Sequence, residues 1–149
     1  MGKKVVKQKE AVSGRKTPVA IENPDGYLKR HPIWRFGQCD LTNEKWTIRN
    51  CQSLYNDIMA KIISYEGMTW AEIQAASGGK KKGTNSHFEY ISEMTKEAQK
   101  RAAELHLDVD QLFSLRLTGK ERLYGVLDEG IFSVIWYDSE HEIYPSSKK

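Results

Sequence analysis

The sequence predicts an α+β domain in which helices pack on one face of a small antiparallel sheet. Three observations lead to this class. Residues 112–137 contain three short runs rich in β-branched and aromatic residues, and a glycine lies in each break between runs. Upstream, apolar residues recur at helical spacing over about 48–65 and about 86–105. A chain of 149 residues that is 39% hydrophobic suits one such core.

The three C-terminal runs predict an antiparallel meander with strands at about 112–117, 121–127 and 131–137. The connecting loops are Thr118-Gly119-Lys120 and Asp128-Glu129-Gly130. Short loops that contain glycine between β-rich runs are typical of hairpins.

Loops of three residues also fix the pairing of the strands. Leu117 would face Glu121, and Leu127 would face Ile131. One face would then carry two rows of residues: Arg116, Arg122 and Trp136, followed by Ser114, Tyr124 and Val134. The opposite face would collect Phe113, Leu115, Leu117, Leu123 and Ile135. We expect the helix at about 86–105 to pack on that second, aliphatic face.

The predicted register places Arg116 directly opposite Arg122. Like charges in this position are destabilising unless an anion lies between them, so the pair is a candidate anion site. In the alternative, each arginine pairs with a nearby glutamate or points into water. A two-residue loop at Gly119-Lys120 would also place the two arginines on opposite faces.

Local signals define the elements before the meander. Pro32 biases a short extended segment toward an edge strand. Thr69 and Ser86 each precede a glutamate by three residues, which is the capping-box pattern. These patterns predict helices that begin there, at about 70–76 and 86–105.

Two stretches are strongly basic. Residues 1–26 combine lysines and arginines with little apolar periodicity, so we expect a disordered tail and a single domain at 27–149. Lys80, Lys81 and Lys82 lie in a glycine-rich loop and are candidate contacts to an RNA backbone. In the alternative, both stretches are solvated segments without a partner.

Several classes of protein and site are not supported. The four histidines are scattered and Cys39 and Cys51 do not form a Cys-x-x-Cys pair, so we expect no metal site and no cofactor. No apolar run approaches the ~20 residues that span a bilayer, and no secretory signal is visible. We expect a soluble cytoplasmic protein with reduced thiols and no membrane partner. The formal net charge of +3 permits a nucleic-acid partner without requiring one.

The segment after the last strand contains groups suited to RNA cleavage without a metal. Such cleavage needs a base for the 2′-hydroxyl, an acid for the leaving 5′-oxygen and cations for the charged phosphorane. His141 titrates near neutrality, which suits an acid or base. The candidate catalytic residues are Arg116, Arg122, Glu140, His141 and Tyr144. Further candidate RNA contacts are Lys120, as a cation, and Tyr124, as a stacking platform. In the alternative, His141 and Tyr144 only close the strand end by hydrogen bonding.

The order of strand, two helices and three-stranded meander resembles the RelE/ParE superfamily of bacterial toxins. Residues 135–144, Ile-Trp-Tyr-Asp-Ser-Glu-His-Glu-Ile-Tyr, are similar to the end of HigB-type and YoeB-type toxins. Arg116 and Arg122 lie where such toxins place basic residues. The resemblance covers about 33–144 in architecture but only about 112–144 in residue pattern. It implies a ribosome-dependent, metal-independent mRNA endonuclease that a cognate antitoxin neutralises.

Two departures from the family and two rival functions remain. The basic N-terminal extension and the 67–86 insertion are not typical of these compact toxins.

A non-catalytic module could use the same sheet face to bind nucleic acid or protein, since fold alone does not settle chemistry. The arginines and aromatic residues could also hold an anionic small molecule.

Overall fold

The computed structural model describes residues 24–76 and 85–145, and within them the fold is α+β. The five strands are β1 (Ile33–Arg35), β2 (His87–Tyr90), β3 (Gln111–Arg116), β4 (Arg122–Asp128) and β5 (Ile131–Asp138). The α-helices are α1 (Ala60–Glu66), which continues a π-helical segment (Leu54–Met59), α2 (Trp70–Ala75) and α3 (Lys96–Glu104). Short 3-10 turns occur at Gly26–Lys29, Ile48–Asn50 and Ile91–Glu93. None of the helices in the described part is long and apolar enough to span a membrane.

The predicted antiparallel meander is confirmed as β3, β4 and β5. Their bounds differ from the predicted ones by at most one residue. The first loop has the predicted length, since the Leu117 amide donates to the Glu121 carbonyl at 2.9 Å. Arg116 therefore lies opposite Arg122, as the predicted register requires.

The second hairpin differs from the prediction in two ways. Its turn has two residues, Glu129 and Gly130, with φ of 54° and 88°, so Asp128 rather than Leu127 is the closing residue. Positive φ at both turn positions matches the twist of the flanking strands. A β-bulge then shifts the pairing between Tyr124 and Gly125, and it leaves Ile135 as the extra residue on β5.

These two shifts change what faces the arginines. The residue opposite Arg122 is Asp138, so the prediction of Trp136 was wrong. Trp136 instead pairs with Tyr124, in the place predicted for Val134. Ile135 packs with Tyr124 rather than with Leu115, because the bulge turns it to the other face.

The sheet is mixed rather than purely antiparallel, with strand order β1-β5-β4-β3-β2. The strand after Pro32, β1, lies at an edge as predicted, but it pairs in parallel with β5. The other edge is β2, where the sequence pattern predicted the start of a helix. That prediction was wrong because Ser86 and Glu89 bind sheet partners instead of capping a helix. Ser86 Oγ accepts from the Arg116 amide at 2.8 Å, and Glu89 accepts from the Tyr124 hydroxyl at 2.8 Å.

The face that carries Leu115 and Leu123 is covered by α1 and α2. Tyr65, Trp70 and Ile73 from these helices are buried in the same apolar cluster as the two leucines. The predicted capping box between Thr69 and Glu72 is present at the start of α2.

The opposite face is covered by α3, so helices lie on both faces and not on one. Ala98 and Ala102 of α3 pack in a cluster with Tyr124, Trp136 and other buried residues. This is the face that carries Arg116, so the predicted placement of the long helix on the aliphatic face was wrong. The aliphatic face is already covered by α1 and α2, and the two alanines allow α3 to approach large aromatic rings on its own side.

Candidate functional site

The part of the α3 face nearest the β3–β4 turn is polar, and we call it the arginine end. It consists of Arg116, Arg122 and Asp138, which lie in one row across β3, β4 and β5. The next row contains Ser114 and Tyr124, with His87 of β2 opposite Ser114. The arginine end is therefore built on three neighbouring strands of a rigid sheet.

Arg122 is only 5% exposed, and its hydrogen bonds hold the adjacent turn. Its Nη1 donates to the carbonyl oxygens of Gly119 and Glu121, each at 2.9 Å. Burial lowers the pKa of Arg122, and the nearby charge of Arg116 lowers it further. No carboxylate among the described residues forms a salt bridge with Arg122. Arg116 is partly exposed, so of the two cations it is the one open to solvent.

The chain after β5 folds back beside the arginine end. The buried carboxylate of Asp138 accepts from the amides of Glu142 and Ile143, each at 2.8 Å. Ile143 is buried in the α3 cluster, and its carbonyl accepts from the Thr95 amide at 3.0 Å. Asp138 thus acts as the cap that turns the chain over the sheet.

The turned segment brings Glu140 and His141 to the same end of the sheet. Glu140 Oε1 lies 2.7 Å from Lys120 Nζ in an exposed ion pair, which raises the pKa of Lys120. His141 has a φ of 59° and a half-buried ring. The described residues give its ring no hydrogen bond to either arginine, so the structure places His141 near the arginine end without joining it to them.

Two other predicted site residues, Tyr144 and Tyr124, are hydrogen-bonded elsewhere or buried. The Tyr144 hydroxyl donates to Glu93 Oε1 at 2.7 Å, and this bond raises the pKa of Tyr144 to about 12. Tyr144 is thereby tied to the 3-10 turn that precedes α3. Tyr124 is fully buried, so its ring offers no surface for base stacking in this structure. Lys80, Lys81 and Lys82 lie outside the described residues.

Sequence reasoning missed two titratable residues of this face, His87 and Glu89. His87 Nε2 lies 3.0 Å from Glu89 Oε2, and the hydrogen bond to Glu89 raises the pKa of His87. The available signal was the alternation of polar His87 and Glu89 with aromatic Phe88 and Tyr90, which is typical of a half-buried strand. The capping-box pattern at Ser86 favoured a helix over the same residues, so the strand was not predicted.

Other polar groups lie on the α1 face. Burial raises the pKa of both thiols, Cys39 and Cys51, which disfavours the thiolate that a nucleophile needs. The Tyr137 hydroxyl donates to Glu121 at 3.1 Å, and burial raises the pKa of Glu121. Across 24–76 and 85–145, no three His, Cys, Asp or Glu side chains are grouped as metal ligands.

Comparisons of the chain with protein-family models, with curated proteins and with solved structures found no match.

Proposed function

We propose that the arginine end binds a phosphodiester of RNA and promotes its cleavage without a metal ion. The observation that supports this most is the in-register pair of Arg116 and Arg122. Opposed like charges repel, and an anion between them removes the repulsion. Arg116 is partly exposed and would contact the phosphate, while the buried charge of Arg122 beside it would strengthen the attraction.

The proposed reaction is attack of a 2′-hydroxyl on the adjacent phosphorus. A bond forms from the 2′-oxygen to phosphorus, the bond to the 5′-oxygen breaks, and a 2′,3′-cyclic phosphate remains. In this step a base takes the proton of the 2′-hydroxyl and an acid gives a proton to the leaving 5′-oxygen. His141 is the proposed acid or base, and Glu140 is the neighbouring carboxylate that tunes it or acts as the base. Arg116, Arg122 and Lys120 stabilise the added charge of the phosphorane.

The likeness to RelE/ParE toxins extends this proposal to partners. It makes mRNA on the ribosome the proposed substrate, an antitoxin the proposed inhibitor and the cytoplasm the proposed location. The fold-back of the chain after β5 supports the comparison, because it brings the segment similar to HigB-type and YoeB-type toxins to the arginine end.

A specific observation favours the second candidate, a non-catalytic nucleic-acid-binding or protein-binding module. Arg122 donates to two turn carbonyls, and Glu140 is paired with Lys120. Two of the candidate catalytic groups therefore already have structural roles. In such a module the arginine end binds RNA and no bond breaks.

The two candidates are separated by RNA cleavage in EDTA with matched histidine variants. His141→Asn removes the imidazole ring, and His106→Asn is its control, because both histidines have left-handed backbones with φ of 59° and 57°. Asparagine tolerates that conformation. Catalysis predicts wild-type cutting, alone or on translating ribosomes, that falls roughly 10²–10⁴-fold in His141→Asn and not in the control. Binding without cleavage by the wild type would favour the module.

A further inference from the structure

His87 flanks the arginine end from the neighbouring strand. It lies opposite Ser114, which precedes Arg116 by two residues on β3. Same-face neighbours along a strand are about 7 Å apart. The His87 side chain is 34% exposed, so both solvent and a bound anion can influence its charge.

The hydrogen bonds of His87 define its protonation state. Nδ1 is 2.8 Å from the carbonyl oxygen of Asn85, and Nε2 is 3.0 Å from Glu89 Oε2. Both partners are acceptors when Glu89 is ionised, so both ring nitrogens must donate. An imidazole ring that donates from both nitrogens carries a positive charge.

Glu89 accepts a hydrogen bond from a second donor. The Tyr124 hydroxyl donates to its other oxygen at 2.8 Å, and the Glu89 side chain is almost fully buried. Among the residues that the structure describes, the other charged or titratable groups on this side are Arg116 of β3, Arg122 of β4 and, toward the C-terminus, the hydroxyl of Tyr144 near Glu89. Arg122 opposes the charge on His87, whereas Glu89 favours it.

We infer that His87 is a third, proton-dependent cation of the phosphate site, so that RNA binds more tightly when its imidazole is charged. This inference rests on the proposed function in taking the arginine end as the phosphate site. When His87 loses its proton, the buried charge of Glu89 is no longer balanced, and the charge of the whole end falls by one unit. A phosphodiester keeps one negative charge throughout this range of pH, so the change in affinity comes from the protein.

The test uses the full chain and a 2′-O-methyl RNA hexamer, which presents phosphodiesters but has no 2′-hydroxyl to react. Affinity is measured from pH 5.5 to 8.5 for the wild type, His87→Gln and the control His106→Asn. Wild type and control should lose about three- to tenfold in affinity as the pH rises through the pKa of His87, and His87→Gln should show a clearly smaller dependence of affinity on pH. In parallel, ring NMR of the wild type should show that the saturating hexamer raises the pKa of His87, because the linkage is reciprocal.

Each outcome decides a different claim. The inference would be overturned, even if the hexamer binds, by either of two results. One is an affinity of His87→Gln that depends on pH as strongly as that of the wild type, and the other is a His87 pKa that the hexamer does not change. The NMR result keeps the test valid if His87→Gln fails to fold. Proton-linked binding together with no cleavage of ordinary RNA would overturn the catalytic proposal and leave this inference standing. No binding at any pH would overturn both.

Discussion

Arg116 of β3 lies directly opposite Arg122 of β4, with Asp138 of β5 next in the same row. The two arginines have unequal environments: Arg122 is buried and holds the turn, and Arg116 is partly exposed. This difference separates a structural role from a binding role, and it can be measured.

Arg122→Gln should destabilise the fold more than Arg116→Gln does. The first change removes the guanidinium donor from the carbonyls of Gly119 and Glu121, of which the second still accepts from the Leu117 amide. We expect the free energy of unfolding to fall by about 1–3 kcal/mol for Arg122→Gln and by less than about 1 kcal/mol for Arg116→Gln. Urea denaturation gives both values. An Arg122→Gln protein as stable as the wild type would show that Arg122 does not hold the turn.

Gly125, beside the bulge, has no space for a side chain. A methyl group at this position would overlap with the carbonyl oxygen of Ser133 and approach the Phe132 ring. Gly125→Ala should therefore cost more than about 3 kcal/mol of stability, because backbone would have to move. Gly37→Ala is the control, since its added carbon meets nothing within 4 Å. Equal melting temperatures for the two variants would contradict the observed pairing at the bulge.

The buried carboxylate of Asp40 holds α3 to the sheet. It accepts from Arg101 at 2.7 and 2.8 Å and from Trp136 Nε1 at 2.9 Å. Asp40→Asn should cost roughly 1–3 kcal/mol, as expected when charge-assisted hydrogen bonds from a partly exposed arginine to a buried carboxylate are weakened. Glu97→Gln breaks the exposed pair with Lys45 and should cost less than about 1 kcal/mol. A cost for Asp40→Asn no larger than that of the control, measured in urea, would show that the buried pair does not anchor α3.

Stability should also depend on the protonation of His87. Its pKa in the fold is raised by Glu89, so folding favours the charged form. The resulting stability is fully present below the unfolded pKa of about 6.5 and is lost as the pH rises through the folded pKa. Unfolding experiments at several pH values should show that the free energy of unfolding of the wild type increases relative to that of His87→Gln as the pH falls from 8.5 to 6. If the difference in free energy of unfolding between the two proteins does not vary with pH, the charged form of His87 does not stabilise the fold.

Local sequence signals predicted those parts of the fold that local chemistry decides. The turn at Gly119, the opposition of Arg116 and Arg122 and the capping box at Thr69 follow from short-range geometry, and all three are present. Because the first loop alone sets the pairing of β3 with β4, the central feature of the candidate site was predictable.

The rest depended on contacts between distant residues. Ser86 and Glu89 satisfy a capping box as well as a strand, and only their partners Arg116 and Tyr124 decide between the two. The bulge at Ile135 has no local signature, yet it determines which β5 residues face the arginines. For these reasons the pair of His87 and Glu89 could not be found before the sheet was known.

The most direct measurement of the central claim is the dependence of cleavage on a single 2′-hydroxyl. The cut sites of the wild-type protein are mapped on an end-labelled RNA in EDTA, both alone and on translating ribosomes, and the nucleotide before one site is then replaced by its 2′-deoxy form. The account predicts a 2′,3′-cyclic phosphate at the cut, loss of cleavage at the 2′-deoxy position and unchanged cleavage elsewhere. Undiminished cleavage at that position, or no cleavage of RNA in either setting, would contradict it.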